Sequence, residues 1–225
     1  MTRINGHVSE GAPVIVSYSF AVPGGQGLTR ADATLRENWR AAVEEAEKVA
    51  GVRFVEVENS ADAMINVTYN NNTNGVSWAY LPWVNEDWAD SSGIVAMNQF
   101  YGDYVPGSAG FQVILHELGH ALGLKHPHDG ENQLPGRFDN TNNTVMSYEW
   151  RGGNKSEFQP YDKAALQALY GDAAAMRDVQ LLWDSERDVL SVTGTAGSDT
   201  LLGVNDRSLI AGRKGSDLLV GRMDD

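Results

Sequence analysis

The chain has no cysteine, which rules out disulfides and thiol catalysis. It is poor in positive charge, with 17 Lys and Arg against 30 Asp and Glu and a formal net charge of −13. Phosphate binding needs a basic footprint, so nucleic acid is not an expected partner. The acidity suits calcium binding and suits plain solubility equally. No run of about eighteen apolar residues is present, so no membrane span is expected. The first residues, Met1 to Gly6, lack the apolar core of a secretory signal. The lack of cysteine leaves an extracellular life open. What remains is a chain of 225 residues with a 42% hydrophobic fraction, enough for one cored domain with an appendage.

Histidine is also scarce. Of five, three lie in one string, His116-Glu117-Leu118-Gly119-His120-Ala121-Leu122-Gly123-Leu124-Lys125-His126. The first two are four residues apart, so on a helix they project from one face, one turn apart. That spacing lets two imidazoles reach one zinc ion. Glu117 sits beside the first ligand and is placed to act on a water rather than on the metal. Gly123 can take a positive φ, end the helix and turn the chain so that His126 arrives as third ligand. Three protein ligands leave a position open, the mark of a catalytic zinc. Ser108 can cap this helix. Phe111, Ile114, Leu115, Leu118 and Leu122 form its apolar face.

This string resembles the extended zinc motif of the metzincin proteases, and Thr144-Val145-Met146-Ser147-Tyr148 looks like their Met-turn. The resemblance makes Met146 an apolar floor under the metal and gives Tyr148 two roles, additional zinc ligand and transition-state donor. The stretches 121–127 and 160–171 are similar to the serralysin branch, and the absence of cysteine separates the chain from astacins, which carry disulfides. The resemblance implies a zinc endopeptidase acting on proteins or peptides, open to a proteinaceous inhibitor. It further implies a secreted bacterial protein, exported without an N-terminal signal, and a monomer.

The tail carries a nine-residue period. Gly194, Gly203, Gly212 and Gly221 recur at that interval, as do Leu201, Ile210 and Leu219; Gly197 matches Gly215 and Asp199 matches Asp217. This looks like the nonapeptide calcium repeat of the parallel β-roll, with two nonapeptides per turn. Asp199 and Asp217 would then stack, and with Gly197 and Gly215 could share a calcium ion. The array departs from the repeat at Asp206 and Ser208, and Thr195, Val204 and Arg213 replace its second glycine. The alternative is a hairpin-like appendage with glycine turns and no metal.

The expected fold is α+β, a metzincin (zincin-like) domain over 1–185 with a short β-roll-like tail over 186–225. Strands are expected at 14–20, 52–58, 63–69, 76–80 and 93–98, and helices at 29–50, 108–122 and 160–170. The stretch 127–147 reads as irregular and exposed. A substrate strand would lie along an exposed sheet edge, for which Ile94–Asn98 is the candidate; an interior strand is the other reading of that segment. His7 and His128 read as surface or loop residues. Asp129, Glu131, Asp139 and Asp162 read as solvated or capping charges. Trp78, Trp83, Trp88 and Trp150 are candidates for packing or for pocket walls. Two rival functions share these features: a calcium-responsive binding or adhesion module with a structural zinc, and a latent regulatory relative. An intact Glu117 argues against the first, because a folding site needs no base.

Overall fold

The structure is a computed structural model that describes residues 9–24, 27–58, 63–71, 76–80, 93–204 and 207–221. His7, Trp83, Trp88 and Asp206, named above, lie outside the described residues, as do parts of the expected N-terminal segment and of the loop after Asn70.

A mixed sheet carries the first half of the chain. Its strands are β1 (Val14–Ser19), β2 (Leu28–Arg30), β3 (Val52–Glu56), β4 (Ile65–Asn70), β5 (Trp78–Ala79) and β6 (Gly93–Asn98). The order is β3-β1-β4-β6-β5, parallel except at β5, with β2 pairing antiparallel to β4. β6 therefore lies inside the sheet. Trp78 pairs with Ala96 and Ala79 with Val95, so the antiparallel β5 takes the edge and the expectation of an edge at Ile94–Asn98 is corrected.

Helix α1 (Ala33–Val49) packs on one face of this sheet. Leu35, Trp39, Ala42, Val43 and Ala46 are buried, a stripe at helical spacing. Tyr18 meets Trp39 at 6.3 Å between ring centroids, so Val14, Val16 and Tyr18 face the helix, and Ile15 and Ser17 face away. The helix starts later than the sequence suggests. Thr29 belongs to β2, and the Asp32 carboxylate accepts from Leu35 N at 2.8 Å to cap the first turn. Helices α2 (Ala109–Ala121) and α3 (Pro160–Tyr170) follow where expected, separated by irregular chain.

The tail begins with a hairpin that the sequence pattern does not announce. β7 (Gln180–Asp184) and β8 (Val189–Thr193) pair antiparallel, so the boundary expected at 185/186 falls in their turn. Beyond it, β9 (Thr200–Leu202), β10 (Ser208–Ala211) and β11 (Leu218–Val220) form parallel rungs. Ile210 pairs with Val192 and Leu219 with Leu201, each eighteen residues apart, which is the pitch of two nonapeptides. Leu190, Val192, Leu201 and Val204 join the main core. Arg53 of β3 ties this region down by donating to Met176 O at 3.1 Å and Val179 O at 2.9 Å. The tail is thus packed against the sheet side of the molecule rather than hanging from it.

Candidate metal centre

The site is built on α2. The Ser108 hydroxyl accepts from Phe111 N at 3.0 Å and starts the helix. Its apolar face is buried throughout, each large side chain contributing about 2 kcal/mol of transfer free energy. Gly123 ends it with φ 97°, the left-handed conformation that favours glycine. Gly123 N then donates to His120 O at 2.8 Å and Leu124 N to Gly119 O at 2.9 Å, a Schellman closure. That turn also presents Leu124 O to His120, so it both swings His126 into place and orients the second imidazole.

All three imidazoles are locked in one tautomer. His116 Nδ1 donates to Val145 O, His120 Nδ1 to Leu124 O and His126 Nδ1 to the Asp129 carboxylate, each at 2.8 Å. These oxygens can only accept, so Nδ1 carries a proton and, in the neutral ring, Nε2 is the nitrogen with the lone pair. The three Nε2 atoms converge, with His120 to His126 at 3.0 Å and His126 to His116 at 3.3 Å. Lone pairs so placed repel unless a cation lies among them. Tetrahedral zinc with nitrogen ligands at 2.0–2.1 Å would hold them about 3.3 Å apart. Burial, reinforced by the neighbouring histidines, pushes His116 down to about 3 and His120 down to about 4, so both are neutral and ready to ligate at neutral pH. The donor set fits zinc.

Glu117 lines one cavity together with His116. It is 5% exposed, and its Oε2 is buried with no hydrogen-bond partner. Burial alone pushes this carboxyl up to about 8; a divalent cation beside it would pull it back. A buried polar atom without a partner is costly in a merely structural role. Tyr148 is 61% exposed, yet its hydroxyl stands 2.8 Å from His126 Nε2. Partial burial and the charges of Glu117 and Asp129 raise its pKa, so the phenol keeps its proton and remains a donor. Around them lies a cavity of about 270 Å³, walled by Val76 and Ser77 before β5, by Val113 of α2 and by Val145 to Trp150. Trp150 is therefore a pocket wall, whereas Trp78 packs edge-on against Tyr80 at 5.0 Å.

The floor is held from below. Met146 is 1% exposed, and its thioether occupies the space a side chain at Gly119 would fill, since a Cβ there would stand 2.6 Å from Sδ. Asp162 fixes this turn. Its carboxylate accepts from Thr144 Oγ1 at 2.5 Å, from Val145 N at 2.8 Å and from Gln159 N at 2.8 Å. One buried group thus caps α3 and sets the carbonyl that orients His116. Burial outweighs those donors and pushes Asp162 up to about 6.

Four acidic residues read as solvated or capping charges have separate fates. Asp162 caps, but inside the core. Asp129 holds His126, and that hydrogen bond keeps its carboxyl below the usual range. Asp139 accepts from His128 Nδ1 at 3.3 Å and from the Ser147 hydroxyl. Glu131 is exposed. The pattern Gln159-Pro160-Tyr161-Asp162 was a readable signal, because it has the spacing of a capping box with Pro at the first helical position. Gly119 and the His128–Asp139 pair have no comparable local signature.

The tail residues are differently placed. Asp199 accepts from Thr195 N at 2.7 Å and from Thr195 Oγ1 at 3.0 and 3.1 Å, which occupies both its oxygens. Asp217 stacks below, accepting from Asp199 N at 3.0 Å. Gly215 lies against the Gly197 carbonyl, which leaves no room for a Cβ.

Comparison with known proteins agrees with this geometry. The family Reprolysin_5, metallo-peptidase family M12, matches residues 28–159, more than half of the chain. The chain belongs to this metallopeptidase family, and His116, His120 and His126 are its zinc-binding triad. Within it the chain is serralysin-like. It is 28% identical to "Serralysin" of Proteus mirabilis over 88% of this chain and 48% of that protein. It is 31% identical to "Metalloprotease AprA" of Pseudomonas entomophila over 66% of this chain and 36% of that protein. The chain thus spans less than half the length of these relatives. Among solved structures, "Structure of myroilysin" aligns over 72% of this chain and 94% of that one, with 16% identity and a TM-score of 0.46.

Proposed function

We propose that this chain is a zinc-dependent endopeptidase that hydrolyses peptide bonds in proteins. The observation that carries the reading is three convergent Nε2 atoms beside a cavity lined by His116 and by Glu117, whose buried Oε2 has no hydrogen-bond partner. His116, His120 and His126 would hold the metal. When bound, zinc supplies Lewis acidity, bringing the pKa of a water toward about 7 and polarising a carbonyl. Glu117 takes the proton of the attacking water on Oε2 and delivers it to the leaving amine, working as general base and then general acid. The Tyr148 hydroxyl donates to the carbonyl oxygen as charge develops there. Trp150 and Val113 wall the space beside the reacting bond. Among the described residues β5 is the last strand on its side of the sheet, and an extended peptide held there by main-chain hydrogen bonds fits this reading.

Protein or peptide substrates and an extracellular setting belong to this reading. Among the described residues no helix is long and apolar enough to cross a membrane. The same reading divides the chain into a catalytic unit ahead of the β7–β8 hairpin turn and a tail of short parallel rungs behind it. Calcium in the tail would have to draw Asp199 away from Thr195. A casein or labelled-peptide assay tests the main claim. The parent should cleave, and Glu117→Ala should lose roughly 10²- to 10⁴-fold in rate with zinc still bound. Equal rates in the two proteins would remove Glu117 from the reaction.

A further inference from the structure

Tyr148 presents a mechanical problem. It is mostly exposed, yet its hydroxyl stands 2.8 Å from His126 Nε2. Its ring contacts are imidazoles: His126 at 4.6 Å between centroids, His128 at 5.1 Å and His116 at 5.8 Å. Two of these are the metal triad. The third, His128, has no place in the motif.

His128 is itself held from two sides. Its ring lies parallel to His126, with 5.2 Å between centroids and 3° between planes. Its Nδ1 donates to one oxygen of Asp139 at 3.3 Å. The other Asp139 oxygen accepts from the Ser147 hydroxyl, and Ser147 Oγ in turn accepts from Glu149 N at 3.0 Å. Asp139 therefore joins the imidazole beside the Tyr148 ring to the backbone on both sides of Tyr148. Ring and chain are braced by one carboxylate.

We propose that the His128–Asp139 pair is a latch that positions Tyr148 over the metal site. His128 is a positioning residue, acting on the reaction only through the tyrosine. The inference rests on the endopeptidase reading above, and in particular on Tyr148 as donor. It accounts for how a largely solvent-exposed phenol keeps one orientation.

A double-mutant cycle tests the latch. His128→Ala should lower kcat roughly five- to tenfold, with KM and zinc content unchanged, and should have no further effect in a Tyr148→Phe background. The same fold loss in both backgrounds, or loss of zinc from His128→Ala, would overturn it. A readout independent of catalysis comes from protein labelled with ¹³C at the tyrosine rings. There Asp139→Ala, which keeps the His128 ring and cuts the tether, should shift or broaden the Tyr148 resonance; an unchanged resonance would overturn the latch. If His128→Ala does not fold, His128→Phe, which keeps a ring without the donor, takes its place in the cycle with the same two outcomes. A parent with neither zinc nor activity would defeat the endopeptidase reading instead, and the resonance would still report whether the tether exists.

Discussion

The helix α2 site and the nonapeptide tail both carry chemistry-bearing residues at set spacings, and the two patterns lead to different ends. On α2, spacing brings three imidazoles together with their Nε2 atoms facing one another. In the tail, spacing stacks Asp199 on Asp217, but Thr195 already uses both oxygens of Asp199. Regular spacing says which groups will meet. Whether they form a site depends on what is left unsatisfied once the backbone has taken its share. On α2 three ring nitrogens and a buried carboxylate oxygen are left over for a cation, whereas in the tail Thr195 closes a turn on Asp199.

The largest expected effect on this contrast comes from beneath the α2 site. Asp162→Ala strands three buried donors and should lower stability by about 3 kcal/mol or more, read from the urea midpoint. It should also weaken zinc retention, because Val145 O orients His116. Retained stability and zinc would mean that the Met146 turn holds itself.

Next comes pH, measured on zinc-stripped protein. His116 and His120 have folded values of about 3 and 4, well below the ordinary 6.5. The folded state then binds fewer protons than the unfolded one between those limits, so stability is full above pH 6.5 and is lost as pH falls toward 4. Asp162, raised to about 6 from 3.8, works the other way: its contribution is present below 3.8 and lost as pH rises through 6. Glu117, raised to about 8 from 4.5, works in the same sense as Asp162, so in the parent the two carboxyls largely offset the two imidazoles. Glu117→Gln leaves the histidines in excess, and its melting temperature should fall between pH 7 and pH 4.5. A flat or inverted profile in Glu117→Gln would contradict the buried, neutral imidazoles.

The smallest effect belongs to the tail. Asp199→Ala removes a local turn closure and should cost about 1 kcal/mol with activity unchanged. EGTA separates the two readings of this region. An unchanged melting temperature in the chelator supports turns closed by Thr195; a drop of several degrees would show that calcium outcompetes that residue.

The same contrast explains what could be read from the chain. The string 116–126 is legible because a helix and one glycine turn bring its groups together within eleven residues. The rungs of the tail are legible because a nine-residue period survives substitution. The β7–β8 hairpin is not, since it carries neither period. The sheet edge was misplaced because the strand expected at 76–80 carries no local mark of its partner, and its pairing with β6 is settled only by tertiary contact. Asp129 and the cap made by Asp162 are local, but the bonds of Asp162 to Thr144 and Val145 and of Asp139 to His128 join residues eleven or more positions apart and carry no local mark. Gly119 matters for an absent side chain that leaves room for Met146, 27 positions along the chain, and no local pattern marks such a vacancy.

The most direct test is elemental analysis of the purified, unstripped protein alongside His120→Ala. The three-imidazole site calls for about one zinc per parent chain, with the metal lost from the variant while its fold persists by circular dichroism. A parent that carries no zinc and takes up none on addition would contradict it.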